Sequence, residues 1–168
     1  MDTPTTTYYL LLGSNQGLRL RYLNDAIDAL AKLGTIKKVS SIYQTAAWGP
    51  IQQPDYLNVA LELVSDLAPE ALMQAALSIE KALGRERTIL YGPRTIDIDI
   101  LAAGTYIIDS ALLTLPHPRL HERAFVLKPF AEIAPDYLHP ILQKTVAQLH
   151  IECTDLLEVK LIAQWPIS

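Results

Sequence analysis

Cysteine is almost absent from this chain, since Cys153 is the only one in 168 residues. One thiol cannot close an internal disulfide, so we interpret Cys153 as structural and expect a cytoplasmic protein. No apolar run approaches the length of a membrane span. The start, residues 1–7, is polar and acidic and lacks the basic-then-apolar order of a signal peptide, so we expect a flexible lead-in.

Charged residues are also few, at 19% against 50% apolar residues, a balance that excludes general disorder. The net charge of −4 argues against a nucleic-acid partner. Five of the seven arginines nevertheless fall between residues 85 and 123: Arg85, Arg87, Arg94, Arg119 and Arg123. Because the guanidinium group is a strong phosphate ligand, this cluster indicates a small polyphosphate. Ordinary surface ion pairs are the alternative for one or two of the five.

The seven glycines do not form a phosphate-binding loop. Gly13-Ser14-Asn15 follows an apolar run at residues 8–12, but it matches neither the dinucleotide nor the P-loop spacing. We interpret it as a structural turn. A doubly wound parallel sheet is therefore disfavoured, and a bound nucleotide would be held by arginines and metals.

Hydrophobic spacing predicts the order strand–helix–strand twice. The predicted segments are a strand at 8–12, a helix from about 20 to Gly34, a strand at 36–43, a loop at 45–56, a strand at 58–64, a helix from Pro69 to Gly84, a loop at 85–93, a strand from Thr95, a short strand at 107–108 and a helix within 124–134. This order favours an α+β fold of ferredoxin-like type, a doubled βαβ sandwich in which helices pack on one side of a mostly antiparallel sheet. Without a repeat or linker, we expect one domain over residues 1–168.

Residues 92–101, G-P-R-T-I-D-I-D-I-L, carry the strongest chemical signal. From Thr95 the side chains alternate, so Asp97 and Asp99 share one strand face while three isoleucines face the core. The two carboxylates leave the backbone about 6.5–7 Å apart and can lean together over two divalent ions about 3.5–4 Å apart. Two acids on a solvated face by chance are the alternative. Arg94 and the preceding Gly-Pro bend favour the metal site, because they place a phosphate-binding cation beside it.

Four motifs occur in an order that resembles the 6-hydroxymethyl-7,8-dihydropterin pyrophosphokinase family. They are Q-P-D-Y-x-N at 53–58, an acid and arginines at a helix end over 80–87, G-P-R-T-x-D-x-D at 92–99, and P-H-P-R followed by E-R-A-F at 116–125. The similarity extends over about residues 8–140. It implies the ferredoxin-like fold and an enzyme of folate biosynthesis that transfers the terminal pyrophosphate of ATP to a pterin alcohol and releases AMP.

The resemblance also implies roles for individual residues. Asp97 and Asp99 would hold two Mg²⁺ ions that bridge the ATP phosphates, a role that suits hard oxygen ligands. Arg85 and Arg94 would be catalytic, facing the transferring phosphates. The other residues on the nucleotide side would be Glu80, Arg87, Tyr91, His117, Arg119 and Arg123. The residues on the pterin side would be Thr45, Trp48, Tyr56, Asn58 and Phe125.

Within the pterin set, Tyr56 and Phe125 would sandwich the flat ring by stacking, and the Asn58 amide offers a donor and an acceptor to the amino-keto edge of the pterin. Phe125 also fits a core residue, and Glu80 also fits a solvated helix flank. The loops at 45–56 and 85–93 are the expected lids. In the second loop, Leu90 and Tyr91 stand where the family usually has a basic residue and a tryptophan.

Two other classes of function fit parts of the pattern. A nucleotidyltransferase with a two-aspartate, two-metal site would release pyrophosphate where the pyrophosphokinase releases AMP. A non-catalytic ferredoxin-like module would bind a ligand without turnover. For the favoured class we expect a monomer with two small-molecule substrates, no nucleic acid and no membrane partner.

Overall fold

The computed structural model describes residues 4–47, 49–84 and 94–165. Its strands are β1 (Thr6–Ser14), β2 (Thr35–Val39), β3 (Ile42–Thr45), β4 (Tyr56–Ser65), β5 (Asp97–Ala103), β6 (Ile108–Asp109), β7 (Thr114–Leu115) and β8 (Lys160–Ala163). Its helices are α1 (Arg19–Ala31), α2 (Pro69–Ala82), α3 (Ala124–Ile133) and α4 (Val146–Glu152), with a 3₁₀ turn at Leu120–Glu122. Within these ranges, no helix is long and apolar enough to cross a membrane.

The described strands form one large sheet and one small ladder. The large sheet has the order β5–β1–β4–β3–β8, and β2 pairs with β4 on the side that β3 also uses. Every pairing in it is antiparallel, while β6 and β7 form the separate ladder. The predicted α+β fold of ferredoxin-like type, with its mostly antiparallel sheet, is confirmed.

Helices cover both faces of the sheet, whereas the sequence predicted helices on one side. Leu23, Leu30 and Leu72 of α1 and α2 pack with one set of sheet residues, while Val126 and Leu149 of α3 and α4 pack with the other. The reason lies in β1, where residues 8–12 are buried on both faces. A strand that is buried on both faces has a continuous run of apolar residues, and helices must cover both of those faces.

The boundaries of β1 and of the strand predicted at 36–43 differ from the prediction. Because β1 begins at Thr6 and ends at Ser14, it includes the last two residues of the predicted lead-in and two residues of the predicted turn. The strand expected at 36–43 is two strands, with a break at Ser40. There the Ser40 hydroxyl donates to the Ser41 carbonyl at 2.7 Å and accepts from the Ala60 N–H at 2.9 Å, so a side chain replaces part of the strand ladder.

Candidate active site

Strand register places four residues in one row across the sheet, and two of them, Asp97 and Asn58, are predicted site residues. Asp97 of β5 lies opposite Gly13 of β1, Gly13 lies opposite Asn58 of β4, and Asn58 lies opposite Tyr43 of β3. Directly paired residues project from the same face of an antiparallel sheet. Asp97 and Asn58 therefore project from the same face, the one that α3 covers in part.

Gly13 occupies the centre of this row because a larger residue would not fit. A β-carbon at this position would lie 2.9 Å from Asn58 Oδ1 and 3.4 Å from Tyr56 Cδ1. The first distance is shorter than van der Waals contact, so the Asn58 amide can lie over β1 only when the side chain of residue 13 is absent. Gly13 is thus the floor of the site and not part of a turn.

The aspartate strand has the alternation that the sequence predicted. Ile98 and Ile100 are buried in the core, while Asp97 and Asp99 are partly exposed on the other face. Arg94 supplies the counter-charge that two like charges on one strand require, with its Nη1 3.4 Å from Asp97 Oδ2. A phosphate that binds at the carboxylates would meet this guanidinium group.

Asn15 joins the two ends of the site although it lies outside every predicted site. This residue is fully buried. Its Oδ1 accepts from the Arg94 N–H at 2.8 Å, and its Nδ2 donates to Gln53 Oε1 at 2.9 Å and to the Pro54 carbonyl at 3.1 Å. The side chain therefore fixes the start of the aspartate strand to the loop that precedes Tyr56.

The aromatic side of the site is built by β4 and the first turn of α3. Tyr56 begins β4, and Asn58 Nδ2 donates to Thr45 Oγ1 at 2.9 Å, which fixes the amide plane. Phe125 packs partly against the core of α3 and also lines the cleft. The core interpretation of Phe125 is therefore confirmed in part, and its position in the cleft leaves the stacking role a prediction. The guanidinium carbon of Arg123 lies 5.6 Å from the centre of its ring, a cation–π contact.

These elements enclose a cleft of about 650 Å³. A volume of this size suits a small-molecule site. The predicted residues that line it are Thr45, Tyr56, Asn58, Arg94, Asp97, Asp99, Arg119, Arg123 and Phe125. Trp48, Arg85, Arg87, Leu90 and Tyr91 lie outside the described residues, and so do the predictions that concern them.

Two predicted residues are described but do not line the cleft. Glu80 of α2 is 3% exposed and accepts a hydrogen bond from the Ile98 N–H at 2.7 Å, so it is not a solvated flank residue. It contacts the aspartate strand from the opposite face of the sheet. His117 lies beside β5, where its N–H donates to the Leu101 carbonyl at 2.8 Å. Their roles in nucleotide binding stay predictions.

The environment of His117 favours the neutral form of its imidazole ring. Burial lowers the pKa of His117, and the positive charges of Arg123 and Arg119 act in the same direction, while Asp97 opposes them. The Nδ1 atom accepts from the Arg119 N–H at 3.3 Å, so the ring proton belongs on Nε2. His117 can therefore donate one hydrogen bond without adding charge.

Sequence reasoning missed a third wall of the cleft, formed by residues 155–157. It also missed Gly13 and Asn15 as site residues, since both were assigned to a turn. The G-S-N triplet was the available signal for these two positions. No local pattern marks Asp155, because its partners are distant in the sequence.

The donor set fits magnesium that is shared with a ligand. No group of three or more His, Cys, Asp or Glu residues that could hold a metal ion occurs among the residues described. Asp97 and Asp99 offer only hard oxygen ligands on one face of an open cleft. Mg²⁺ commonly binds to one or two carboxylates and completes its shell with water and substrate phosphates.

Comparisons with known proteins identify the family of this chain. A sequence model of the 7,8-dihydro-6-hydroxymethylpterin-pyrophosphokinase (HPPK) family matches residues 9–135. The 2-amino-4-hydroxy-6-hydroxymethyldihydropteridine pyrophosphokinase of Aquifex aeolicus is 40% identical over 148 residues, which cover 88% of this chain and 92% of that protein. The enzyme of the same name from Bacillus subtilis is 45% identical over 127 residues, or 74% of this chain and 76% of that one.

Solved structures share the fold at low sequence identity. Wild-type Plasmodium falciparum HPPK-DHPS with pterin and p-hydroxybenzoate aligns with a TM-score of 0.71 and 15% identity. The alignment covers 90% of this chain but 42% of that longer chain, and it bears on the fold alone.

Fold, cleft and relatives together define a transferase of the pyrophosphokinase class. The chain belongs to the 7,8-dihydro-6-hydroxymethylpterin-pyrophosphokinase family. The predicted family and enzyme class are confirmed.

Proposed function

We propose that this chain transfers the β,γ-pyrophosphate of ATP to the hydroxymethyl oxygen of 6-hydroxymethyl-7,8-dihydropterin in folate biosynthesis, releasing AMP. The observation that supports this most directly is the row across the sheet. It puts the amide and aromatic groups at Asn58 and Tyr56 in the same cleft as Asp97, with only Gly13 between them. Such a cleft holds a flat heterocycle and a polyphosphate side by side.

On the pterin side, Tyr56 and Phe125 stack on the ring and Asn58 recognises its polar edge. Asn58 is 3% exposed, and its bond to Thr45 leaves little rotational freedom. A preorganised amide binds a matching donor–acceptor edge without a further cost in side-chain entropy. Trp48 would complete this side.

On the nucleotide side, the charges of the triphosphate meet Arg94, Arg119 and Arg123, which line the same cleft. Asp97 and Asp99 would hold the two Mg²⁺ ions, and bound Mg²⁺ would neutralise charge on the phosphates. Arg85, Arg87, Tyr91, Glu80 and His117 complete the proposed nucleotide site.

The reaction needs no nucleophilic side chain. The hydroxymethyl oxygen forms a bond to the β-phosphorus, the bond from that phosphorus to the α,β-bridging oxygen breaks, and AMP leaves with the bridging oxygen. The hydroxyl proton passes to solvent. The arginines stabilise the negative charge that spreads over the phosphoryl oxygens, and the stacked ring holds the attacking oxygen in line.

Product analysis tests the proposal. Incubation with ATP, Mg²⁺ and 6-hydroxymethyl-7,8-dihydropterin should form AMP and the pterin diphosphate in equal amounts. EDTA should stop the reaction, and excess Mg²⁺ should restore it. Release of pyrophosphate with the nucleotide attached to the pterin would instead identify a nucleotidyltransferase. Pterin binding with no consumption of ATP would contradict the proposed reaction.

The acting unit in this proposal is one domain, residues 1–168, working in the cytoplasm as a monomer on small molecules without nucleic acid. Light scattering coupled to gel filtration tests the monomer. A mass near 18.7 kDa is expected, and a stable dimer at assay concentration would contradict it.

A further inference from the structure

The third wall of the cleft comes from a part of the chain that the family model does not match. That match ends at residue 135, whereas Asp155, Leu156 and Leu157 line the cleft together with Phe125 and Ala46. These three residues lie in the segment between α4 and β8. Their position on the Phe125 side places them near the proposed pterin ring.

Asp155 connects this segment to the helix that carries Phe125. Its Oδ2 accepts from the N–H of Ala124, the first residue of α3, at 3.0 Å, and its Oδ1 accepts from the Leu157 N–H at 3.0 Å. The helix has no side-chain cap from its own N-cap residue, Arg123. One carboxylate thus caps α3 from a distance of about thirty residues and orders the segment that contains Leu157.

Two further contacts fix the path of the segment beyond Leu157. Lys128 of α3 donates from Nζ to the Val159 carbonyl at 2.8 Å. Then β8 pairs with β3, the strand that ends at Thr45 in the cleft. The segment is therefore held on both sides of residues 156 and 157, which restricts where these two side chains can lie.

Leu156 has the surroundings expected of a group that contacts a ligand. Its side chain is 97% exposed although it lines the cleft, and no other large apolar residue in the described ranges is more exposed. Leu157 beside it is half-buried. Ligand binding is favoured when the ligand removes an apolar side chain at the rim from water.

We propose that residues 155–157 form an additional wall of the pterin site. Leu156 and Leu157 cover an edge of the bound ring that Tyr56 and Phe125 leave open, and Asp155 acts as a positioning residue that holds Phe125 through the first turn of α3. This inference rests on the proposed function, because it takes the pterin as the ligand on that side of the cleft.

Leu156→Ser tests the covering role. Since the side chain is almost fully exposed, the change should leave the melting temperature unaltered, weaken 6-hydroxymethyl-7,8-dihydropterin binding about three- to tenfold and leave ATP binding unchanged. Ile151→Ser is the matched control, because Ile151 is 84% exposed on α4 and does not line the cleft. It should bind pterin as the wild type does. Equal pterin affinity in wild type, Leu156→Ser and Ile151→Ser would overturn the covering role.

Asp155→Ala tests the positioning role. It should raise the KM for pterin more than the KM for ATP and lower the melting temperature. Thr145→Ala is the control, because it also removes a helix cap but lies away from the cleft. Thr145 caps α4, where its Oγ1 accepts from the Gln148 N–H at 3.2 Å. Asp155→Asn keeps one oxygen acceptor, so its KM for pterin and its melting temperature should lie between those of Asp155→Ala and the wild type. If Asp155→Ala lowered only the melting temperature, as Thr145→Ala should, its role would be purely structural.

The outcomes separate this inference from the proposed function. A wild-type protein that forms no AMP and binds no pterin would overturn both. A wild-type protein that forms AMP, with Leu156→Ser and Asp155→Ala matching it in pterin binding and KM, would overturn the wall alone.

Discussion

At the scale of single residues, the site depends on where a side chain is missing as much as on where one is present. Gly13 separates Asn58 from Asp97, and the Asn58 amide occupies the space that a β-carbon would fill. The two halves of the cleft therefore approach each other across bare backbone. Only glycine combines a regular strand position with this close approach.

Adding that β-carbon should damage the pterin half selectively. In Gly13→Ala the Asn58 amide must move from a contact at 2.9 Å, which strains its bond to Thr45. We expect pterin affinity to fall about tenfold while ATP affinity is retained, measured by calorimetry with each ligand. Ser14→Ala is the control, since residue 14 projects from the opposite face of β1. If Gly13→Ala lost ATP affinity and kept pterin affinity, Asn58 would belong to the nucleotide side of the cleft and not to the pterin side.

The carboxylates should control turnover and not folding. Asp97→Ala and Asp99→Ala should each lower kcat by several orders of magnitude with an unchanged circular dichroism spectrum, because either change leaves phosphate charge uncompensated in the transition state. Asp109→Ala, on an exposed position of β6, is the control. Near-normal turnover with Mg²⁺ in either variant would exclude the two-metal assignment.

At the scale of elements, the cleft is assembled from strand ends and loops that Asn15 holds together. Asn15 follows the last residue of β1, and its side chain forms hydrogen bonds both to the loop before β4 and to Arg94, which precedes β5. Three separate segments thus converge on one buried amide. A change at Asn15 should therefore act on both ligands at once.

Asn15→Ala should lower the free energy of unfolding by about 1–3 kcal/mol, because it leaves the partly buried Arg94 N–H without its acceptor. It should also raise the KM for both ATP and pterin, since Arg94, Gln53 and Pro54 lose a common support. Denaturant unfolding and steady-state kinetics measure the two effects. Asn24→Ala on the exposed face of α1 is the control and should change neither. An unaltered unfolding free energy in Asn15→Ala would mean that water replaces these bonds.

Elements whose signal is local were predictable from the sequence, and those formed by distant partners were not. Strict alternation identified the faces of β5, and an apolar period of three to four identified α1. The break at Ser40 depends on a hydroxyl that bonds to Ala60 of another strand, so β propensity alone could not show it. Likewise, β8 is a strand because β3 lies beside it.

The same distinction between local signals and distant partners applies to the site residues. The shared position of Asp97, Asp99, Arg94, Arg119 and Arg123 in one cleft was predictable, because their residue types and spacing indicate phosphate and metal chemistry. Asp155 was not, because an isolated aspartate in a polar tail acquires its role only when folding brings the N–H of Ala124 to it. The role of Asp155 depends on a contact 31 residues away, and no local pattern marks it.

At the scale of the whole molecule, the described chain beyond α3 serves both stability and the cleft. The turn after residue 138 is organised by His139, which is 5% exposed. Its Nδ1 accepts from the N–H groups of Ile141 at 3.2 Å and Leu142 at 3.0 Å. A proton on Nδ1 would abolish both bonds, so this turn requires the neutral ring.

Stability should therefore fall in mild acid. Burial lowers the pKa of His139 below its ordinary value of 6.5, and the neighbouring His121 acts in the same direction. As pH falls through about 6.5, the unfolded chain binds a proton that the folded His139 does not, so the free energy of unfolding decreases by up to about 1.4 kcal/mol per pH unit until the folded pKa is reached. His139→Asn keeps an acceptor in place of Nδ1 and cannot titrate, so its unfolding free energy should depend less steeply on pH between 7 and 5. His117, whose pKa is also lowered, leaves a residual slope in that variant. Urea unfolding at half-unit pH steps measures both slopes, and equal slopes would show that His139 binds its proton equally well in the folded and unfolded chains.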